Sequence, residues 1–558
     1  MCPFPGMSKK SKLGLIILAV VGVNVLSSWY FVRLDLTEEK RYSISEASKN
    51  MVSHLASPLE IEVYLDGSDL PGGFERLKQA TRETLDEFKN YAGTNLNYRF
   101  FDPNSISNPE QKNAFIDSLI SKGIQPTNVF DSKGGRKTET LVFPYALVKY
   151  EGKEESVLLL KGNQALSAQE KLNQSYENLE YAFATAFRKL ATVERKKIGL
   201  LTEFTKLQPV NFAGLINTLQ EYYDLFIVDA RTSESFLGLD ALILPKPDFP
   251  IDDSTKFKID QYVMYGGKAL FFVDGLQVDS IGLEGTYAQP LKHNLEDLFF
   301  KYGIRLNTDM VKDGASAAMV PLVVGNMGDK PNIQPIPYRF FPLINNFGES
   351  LITKNLDLVL SKFASTIDTV SGGPAQKIPL LMTTPYTKVL NAPALVTYND
   401  ARLETDEQEY NQGIQSIAYL LEGRFNSLYE NRILPQDPRA EYFKANSEPT
   451  KIIVAADGDL VVNDIDRRNG DPLPLGFDKV SQHTFGNKDF LMNAIDYLVD
   501  DNGVITARNK EVRLRPLDAI KSRDERLRFQ LINLVIPSLL VLLFGAIKGY
   551  LWKRKYSA

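Results

Sequence analysis

The stretch STKFKIDQYVMYGGKALFFVD, Ser254 to Asp274, decides the fold. Its first half reads as a helix, Gly266 and Gly267 stop that helix, and a strand follows to Asp274. Working outward, IGLLT (Ile198–Thr202), LFIVD (Leu225–Asp229) and ALILP (Ala241–Pro245) are compact apolar runs of the kind buried on both faces. Segments such as NFAGLINTLQEYY between them have helical spacing. The economical reading is a parallel sheet flanked by helices, a Rossmann-like domain over 196–510. A β-rich insertion at about 314–393 is expected from the Pro, Gly and strand-like runs AAMVPLVV, LDLVLSKFASTI and KIPLLMTT.

Upstream, the pattern differs. LEIEVYL (Leu59–Leu65) and LNYRF (Leu96–Phe100) alternate as half-buried strands, and Ser43 with Glu46 has capping-box spacing ahead of a short helix. Helices are expected near Pro109–Lys122 and over Ala168–Ala191. ALVKY and SVLLL form a hairpin closed at Glu151 and Gly152. The order β-α-β-α-β-β-α over 33–195 predicts a thioredoxin-like domain, with Pro144 at the place such folds give a cis-proline. The loop DGSDLPGG lacks the C-x-x-C pair, so the redox chemistry of that fold is not expected.

Both ends carry uncharged apolar runs: LGLIILAVVGVNVLSSWYFV (Leu13–Val32) and FQLINLVIPSLLVLLFGAI (Phe529–Ile547). At about 1.5 Å per residue, each can span the roughly 30 Å core of a bilayer. The fold class is therefore α/β, with one transmembrane helix at each end. The expected division is a cytoplasmic start (1–12), a first span (13–32), the two soluble domains, a juxtamembrane segment (511–528), a second span (529–551) and a cytoplasmic end (552–558). Lys9, Lys10 and Lys12 before the first span, and Lys553, Arg554 and Lys555 after the second, set both termini on the cytoplasmic side. Asn533 and Pro537 are tolerated in lipid most easily against neighbouring helices, which makes them candidates for docking on a permease.

A net charge of −5 gives no basic surface for nucleic acid. Cys2 is the single cysteine and precedes the first apolar run, so an amidotransferase nucleophile is missing. His54, His293 and His483 are not at metal-ligand spacing. Gly266–Lys268 lacks the rest of a phosphate loop. DGDLVVNDID (Asp457–Asp466) reads as a solvated loop with only a partial calcium-loop pattern, but it follows the strand KIIVAA. Ligands bind α/β sheets at that end, so Asp457 and Asp459 are the candidate binding residues. DARLETDEQEYNQG (Asp400–Gly413) reads as an acidic, solvated loop. No catalytic residue, cofactor or metal is expected, and the protein reads as a non-enzyme.

RLDLTEEKRYSIS, DQYVMYGGKALFFVD, AYLLEGRFNSLY (Ala418–Tyr429) and the terminal apolar helix after RPLD (Arg515–Asp518) resemble GldG-type auxiliary subunits of the bacterial gliding-motility ABC transporter. The resemblance implies an inner-membrane protein working with a permease and a cytoplasmic ATPase, its bulk periplasmic, and Ser427 accessible from that side. Relatives carry a Gly-His-Gly-Glu-like turn where this chain has LLTEFTKLQP (Leu200–Pro209), so a ligand role of that turn does not carry over. The alternative is an extracytoplasmic binding module for a glycan or peptide.

Overall fold

The computed structural model describes residue 22, residues 43–509 apart from 68–69, 134–135, 162–164, 192–193, 279, 282–283, 374, 404–405, 407 and 501–502, and residues 525–556. The first candidate span, but for residue 22, and the segment 510–524 lie outside the described residues. Residues 1–511 form one compact unit and 512–558 a second.

The first part runs α1 (Glu46–Ser53), β1 (Leu59–Val63), α2 (Gly72–Ala92), β2 (Leu96–Phe100), α3 (Pro109–Ser121), β3 (Thr127–Lys133), β4 (Arg136–Val142), β5 (Tyr145–Tyr150), β6 (Lys153–Leu158) and α4 (Ala168–Ala191). The hydroxyl that caps α1 is that of Ser45, which accepts from the Ser48 N–H, rather than that of Ser43. β1, β2, β5 and β6 form one sheet in the order β2-β1-β5-β6, with β1 parallel to β2 and the other pairs antiparallel. Glu151 and Gly152 close β5 onto β6 with φ of 49° and 77°, the left-handed pair a two-residue hairpin requires. The hairpin β3–β4 stands outside this sheet; the sequence reading passed over it. The cis peptide among the described residues is Ala392–Pro393, not the bond before Pro144. Leu59, Ile61 and Val63 are buried with Leu85, Phe88 and Phe187, and the rings of Phe88 and Phe187 meet edge to face at 5.0 Å.

The second part adds β7 (Lys197–Leu200), α5 (Ala213–Tyr222), β8 (Asp224–Ile227), β9 (Ala241–Pro245), α6 (Asp253–Met264), β10 (Lys268–Phe272), α7 (Glu296–Tyr302), β11 (Ala317–Met327), β12 (Lys330–Ile344), β13 (Asn346–Phe347), β14 (Gln376–Met382), β15 (Ser416–Gly423), β16 (Thr450–Ala455) and α8 (Asn487–Val499). The central sheet has the order β13-β14-β15-β16-β10-β9-β7-β8. β8, β7, β9, β10 and β16 are parallel, and β15, β14 and β13 continue antiparallel. Leu270 and Phe272 of β10 belong to one core with Leu215, Leu219 and Phe490 from α5 and α8. Ala269 and Phe271 belong to the opposite core with Ile259, Val263 and Phe299 from α6 and α7. Alternate residues thus bury on opposite faces, which is why the strand reads as an unbroken apolar run.

Two expectations change here. LFIVD forms the outermost strand, leaving Phe226 45% and Ile227 59% exposed, because an edge strand has a neighbour on one side only. KIPLLM is not part of a separate β-rich insertion, since β14 extends the central sheet by pairing with β15. The insertion's main feature is the long hairpin β11–β12. Val320, Tyr338 and Phe340 pack its inner side into a local core. Its outer side pairs Met319 with Pro337, Pro321 with Pro335 and Val323 with Ile333, all exposed and apolar.

α4 of the first part is fastened to α8 of the second by a buried carboxylate. Asp496 accepts from the Tyr181 hydroxyl at 3.0 Å, from the Arg188 guanidinium at 2.6 Å and from the Tyr223 hydroxyl. Burial alone would lower the Arg188 pKa, but the Asp496 charge outweighs it and holds the guanidinium protonated. Removing one partner of such a pair strands the other charge without water, at about 3–5 kcal/mol. Asp496→Ala should therefore lower the unfolding free energy of the full chain by about 3 kcal/mol or more. Denaturant titration followed by tyrosine fluorescence measures it, and a loss below about 1 kcal/mol would mean that the carboxylate does not hold the two parts together.

In the second unit, α9 (Arg526–Tyr556) is long and apolar enough to cross a membrane, and Arg526–Arg554 are exposed throughout.

Candidate functional site

Three neighbouring parallel strands, β9, β10 and β16, end on the same edge of the sheet, and a charged residue follows each. Lys246 comes directly after β9, Asp274 two residues after β10, and Asp457 two residues after β16. Asp459 follows in a 3-10 turn, Gly458–Val461, that Asp457 caps. The Lys246 ammonium donates to Asp274 at 2.7 Å and to Asp459 at 2.8 Å. Asp274 also accepts from the Gly458 N–H at 2.7 Å. Asp457 accepts from the Ser361 hydroxyl at 2.6 Å, the Lys362 N–H at 2.8 Å and the Asp459 N–H at 2.8 Å.

The backbone is shaped to make these contacts. Lys246 has φ of 42°, a left-handed conformation that costs a non-glycine residue energy unless its surroundings hold it there. A Cβ on Gly458 would lie 2.6 Å from Lys246 Cγ and 3.0 Å from its Cα. Only glycine lets the two segments approach this closely.

Asp457 is fully buried. The expected solvated loop is therefore a packed turn, with Leu460 and Val461 turned into the core beside it. Burial, and then the charges of Asp459 and Asp274, push the Asp457 carboxyl up to about 7; the Ser361 hydrogen bond and Lys246 act the other way. Asp274 is also raised by burial, with Lys246 opposing. Burial would depress Lys246, but Asp274 and Asp459 outweigh it and keep the ammonium charged. Oxygens of Asp274, Asp457 and Asp459 lie within 4.8 Å of one another, a donor set suited to a hard cation. Such an ion would compete with Lys246, which already lies between two of the three carboxylates. The arrangement can bind a proton or exchange one cation for another.

The sequence reading found Asp457 and Asp459 and missed Lys246 and Asp274. The available signal was positional, a charged residue just after each of three apolar strands. The other predicted residues lie elsewhere. Asn533 and Pro537 sit one turn apart on α9, where Pro537 lacks the N–H that would bond the Asn533 carbonyl. His54, His293 and His483 face Asn50, Glu296 and Asp357, none of them in the cluster. Ser427, expected to be accessible, is fully buried and donates to Asp260 at 2.6 Å. Asp400 is likewise no solvated loop residue: it pairs with the buried Lys312 at 2.6 Å.

Residues 195–494, which hold the whole sheet and its cluster, match the family described as ABC-type uncharacterized transport system. The chain belongs to this family. Family membership makes it an auxiliary protein of an ABC transport system, which suggests a non-catalytic role. Residues 38–149 match a domain of unknown function. An uncharacterized protein of Borreliella burgdorferi is 23% identical over 559 residues, covering 97% of each chain. Among solved structures, the mmIFT52 N-terminal domain aligns with 54% of this chain and 97% of its own at 13% identity and a TM-score of 0.29, too slight a likeness to bear on fold or function.

The raised Asp457 value fixes a sign. Its unfolded value is the ordinary 3.8 and its folded value about 7, so between these the native state binds the extra proton. Its contribution is full below about pH 4 and is lost as pH rises to about 7. The stability difference between the native chain and Asp457→Ala, followed by thermal midpoints across this window, should shrink as pH rises. A difference independent of pH would show that Asp457 does not titrate there.

Proposed function

We propose that this family member is a non-enzymatic, membrane-anchored subunit of a GldG-type transporter assembly, working with a permease and, through it, a cytoplasmic ATPase. It sits in a bacterial inner membrane by two spans, with both termini cytoplasmic and the two α/β domains periplasmic. The observation that carries this reading is the family match over 195–494 in a chain that also bears an exposed, membrane-length α9. The thioredoxin-like reading of the first domain is supported by its strand order β2-β1-β5-β6, and the Rossmann-like reading of the second by its five parallel strands between helices. The exposed apolar side of the hairpin β11–β12 agrees with life in a complex, since isolated soluble proteins rarely leave large contiguous apolar patches uncovered.

On this reading α9 docks against the permease through Asn533 and Pro537. Replacing both with Leu, which keeps the span apolar and restores the missing N–H, should reduce recovery of permease and ATPase with the tagged chain in mild detergent by severalfold. Equal recovery would return α9 to the role of a simple tether. Topology is tested at the exposed hairpin turn: in a Cys2→Ser background, Asp329→Cys should react with an impermeant thiol reagent from the periplasmic side. Labelling only after lysis would reverse the orientation.

A further inference from the structure

A cleft of about 1140 Å³ runs beside α6, between the loop at Glu234–Leu237 and the segment Tyr429–Tyr442. None of its lining residues belongs to the carboxylate cluster, and it is firmly built. Asp260 accepts from the Ser427 hydroxyl at 2.6 Å and the Leu428 N–H at 3.0 Å, pinning one end of the segment. At the other end Gln261 exchanges two hydrogen bonds with the Lys444 backbone, at 2.7 and 3.2 Å. The Tyr265 hydroxyl donates to the Tyr442 carbonyl at 2.9 Å. The opening is therefore a fixed feature of the fold.

Its lining selects a ligand class. The backbone of the covering segment is folded on itself in successive turns, Arg432 N–H to Tyr429 O, Asp437 N–H to Leu434 O and Ala440 N–H to Asp437 O. It offers no free strand edge to which a peptide could add. Most of the basic side chains are already committed to partners within the protein. Lys256 is bonded to Asn294 and Asp297, Lys258 to the carbonyls of Ala230 and Ser233, and Arg439 to Asp437. Among the lining side chains, Lys258, Arg432 and Glu234 have no ion pair among the described residues; the Lys258 ammonium is held by two carbonyls, which leaves Arg432 and Glu234, one of each sign, as the charges that can turn to a ligand. A phosphorylated or strongly charged ligand would meet one attraction and one repulsion. Tyr442 and Tyr265, which both line the cleft, are 52% and 38% exposed.

We propose that this cleft binds a neutral oligosaccharide. A pyranose presents an apolar C–H face, which lies on a tyrosine ring, and a rim of hydroxyls, which donate to Glu234 and accept from Arg432. Concave sites that combine aromatic walls with a few polar groups of fixed direction suit this chemistry. The inference stands apart from the assembly proposed above, because it is read on the isolated chain.

The test is calorimetric titration of the detergent-solubilised full chain with three neutral hexasaccharides, of β-1,4-glucose, α-1,4-glucose and β-1,4-N-acetylglucosamine, and with a pool of decapeptides. At least one saccharide should bind. Tyr442→Ala and Arg432→Ala should each weaken it at least tenfold, while Met327→Ala on the distant hairpin leaves it unchanged. Both altered residues are exposed, and unchanged thermal midpoints will show that the variants fold. The proposal falls if no saccharide binds, if binding survives both substitutions, or if only peptides bind in a manner sensitive to Tyr442→Ala.

Discussion

A strand buried on both faces cannot carry a charge along its length, because an ionised side chain there would lose its water with nothing in return. The four inner parallel strands, β7, β9, β10 and β16, obey that constraint, and their charged residues are displaced to the ends. Since β9, β10 and β16 are adjacent and parallel, their carboxyl ends open on one edge and bring Lys246, Asp274 and Asp457 together. The cluster is thus a consequence of the sheet. It costs a strained lysine and a glycine that nothing larger can replace.

The same device recurs. Asp496 ties α4 to α8 and β8's neighbour Tyr223, Asp260 ties α6 to the segment after β15, and Asp457 ties the end of β16 to Ser361 and Lys362. Each is a buried carboxylate whose oxygens are shared between segments far apart in the chain. Hydrogen bonds to a charged group are stronger than neutral ones and have definite direction. A few such residues therefore fix how separately folded pieces sit against one another, where apolar packing alone would allow sliding.

Much of the architecture was legible because its determinants are local. The apolar runs at Ile198, Ala241 and Ala269, the helix Ala168–Ala191 and the Glu151–Gly152 turn emerge at or close to the positions their patterns indicate. The errors have a common cause. LFIVD looks like an interior strand, yet it closes the sheet at an edge, and KIPLLM looks like part of an insertion, yet it pairs with β15. In both cases the local pattern was real and the neighbour was not encoded nearby. Asp457–Asp466 looked solvated because four carboxylates in ten residues usually are; the donors that bury the first of them come from Ser361 and Lys362.

By itself, then, the sequence determined the α/β character, the membrane-length apolar runs at its two ends and the identity of Asp457 and Asp459 as residues at the carboxyl end of a strand, since each follows from periodicity or composition within a short window. Only the tertiary structure decided that Lys246 and Asp274 complete the cluster, that Ser427 is buried under Asp260 and that the segment after β15 roofs a cleft beside α6. The physical reason is that electrostatic partners act over a few ångströms of space, whatever the separation in sequence. Lys246 and Asp459 are 213 residues apart along the chain and 2.8 Å apart in the fold.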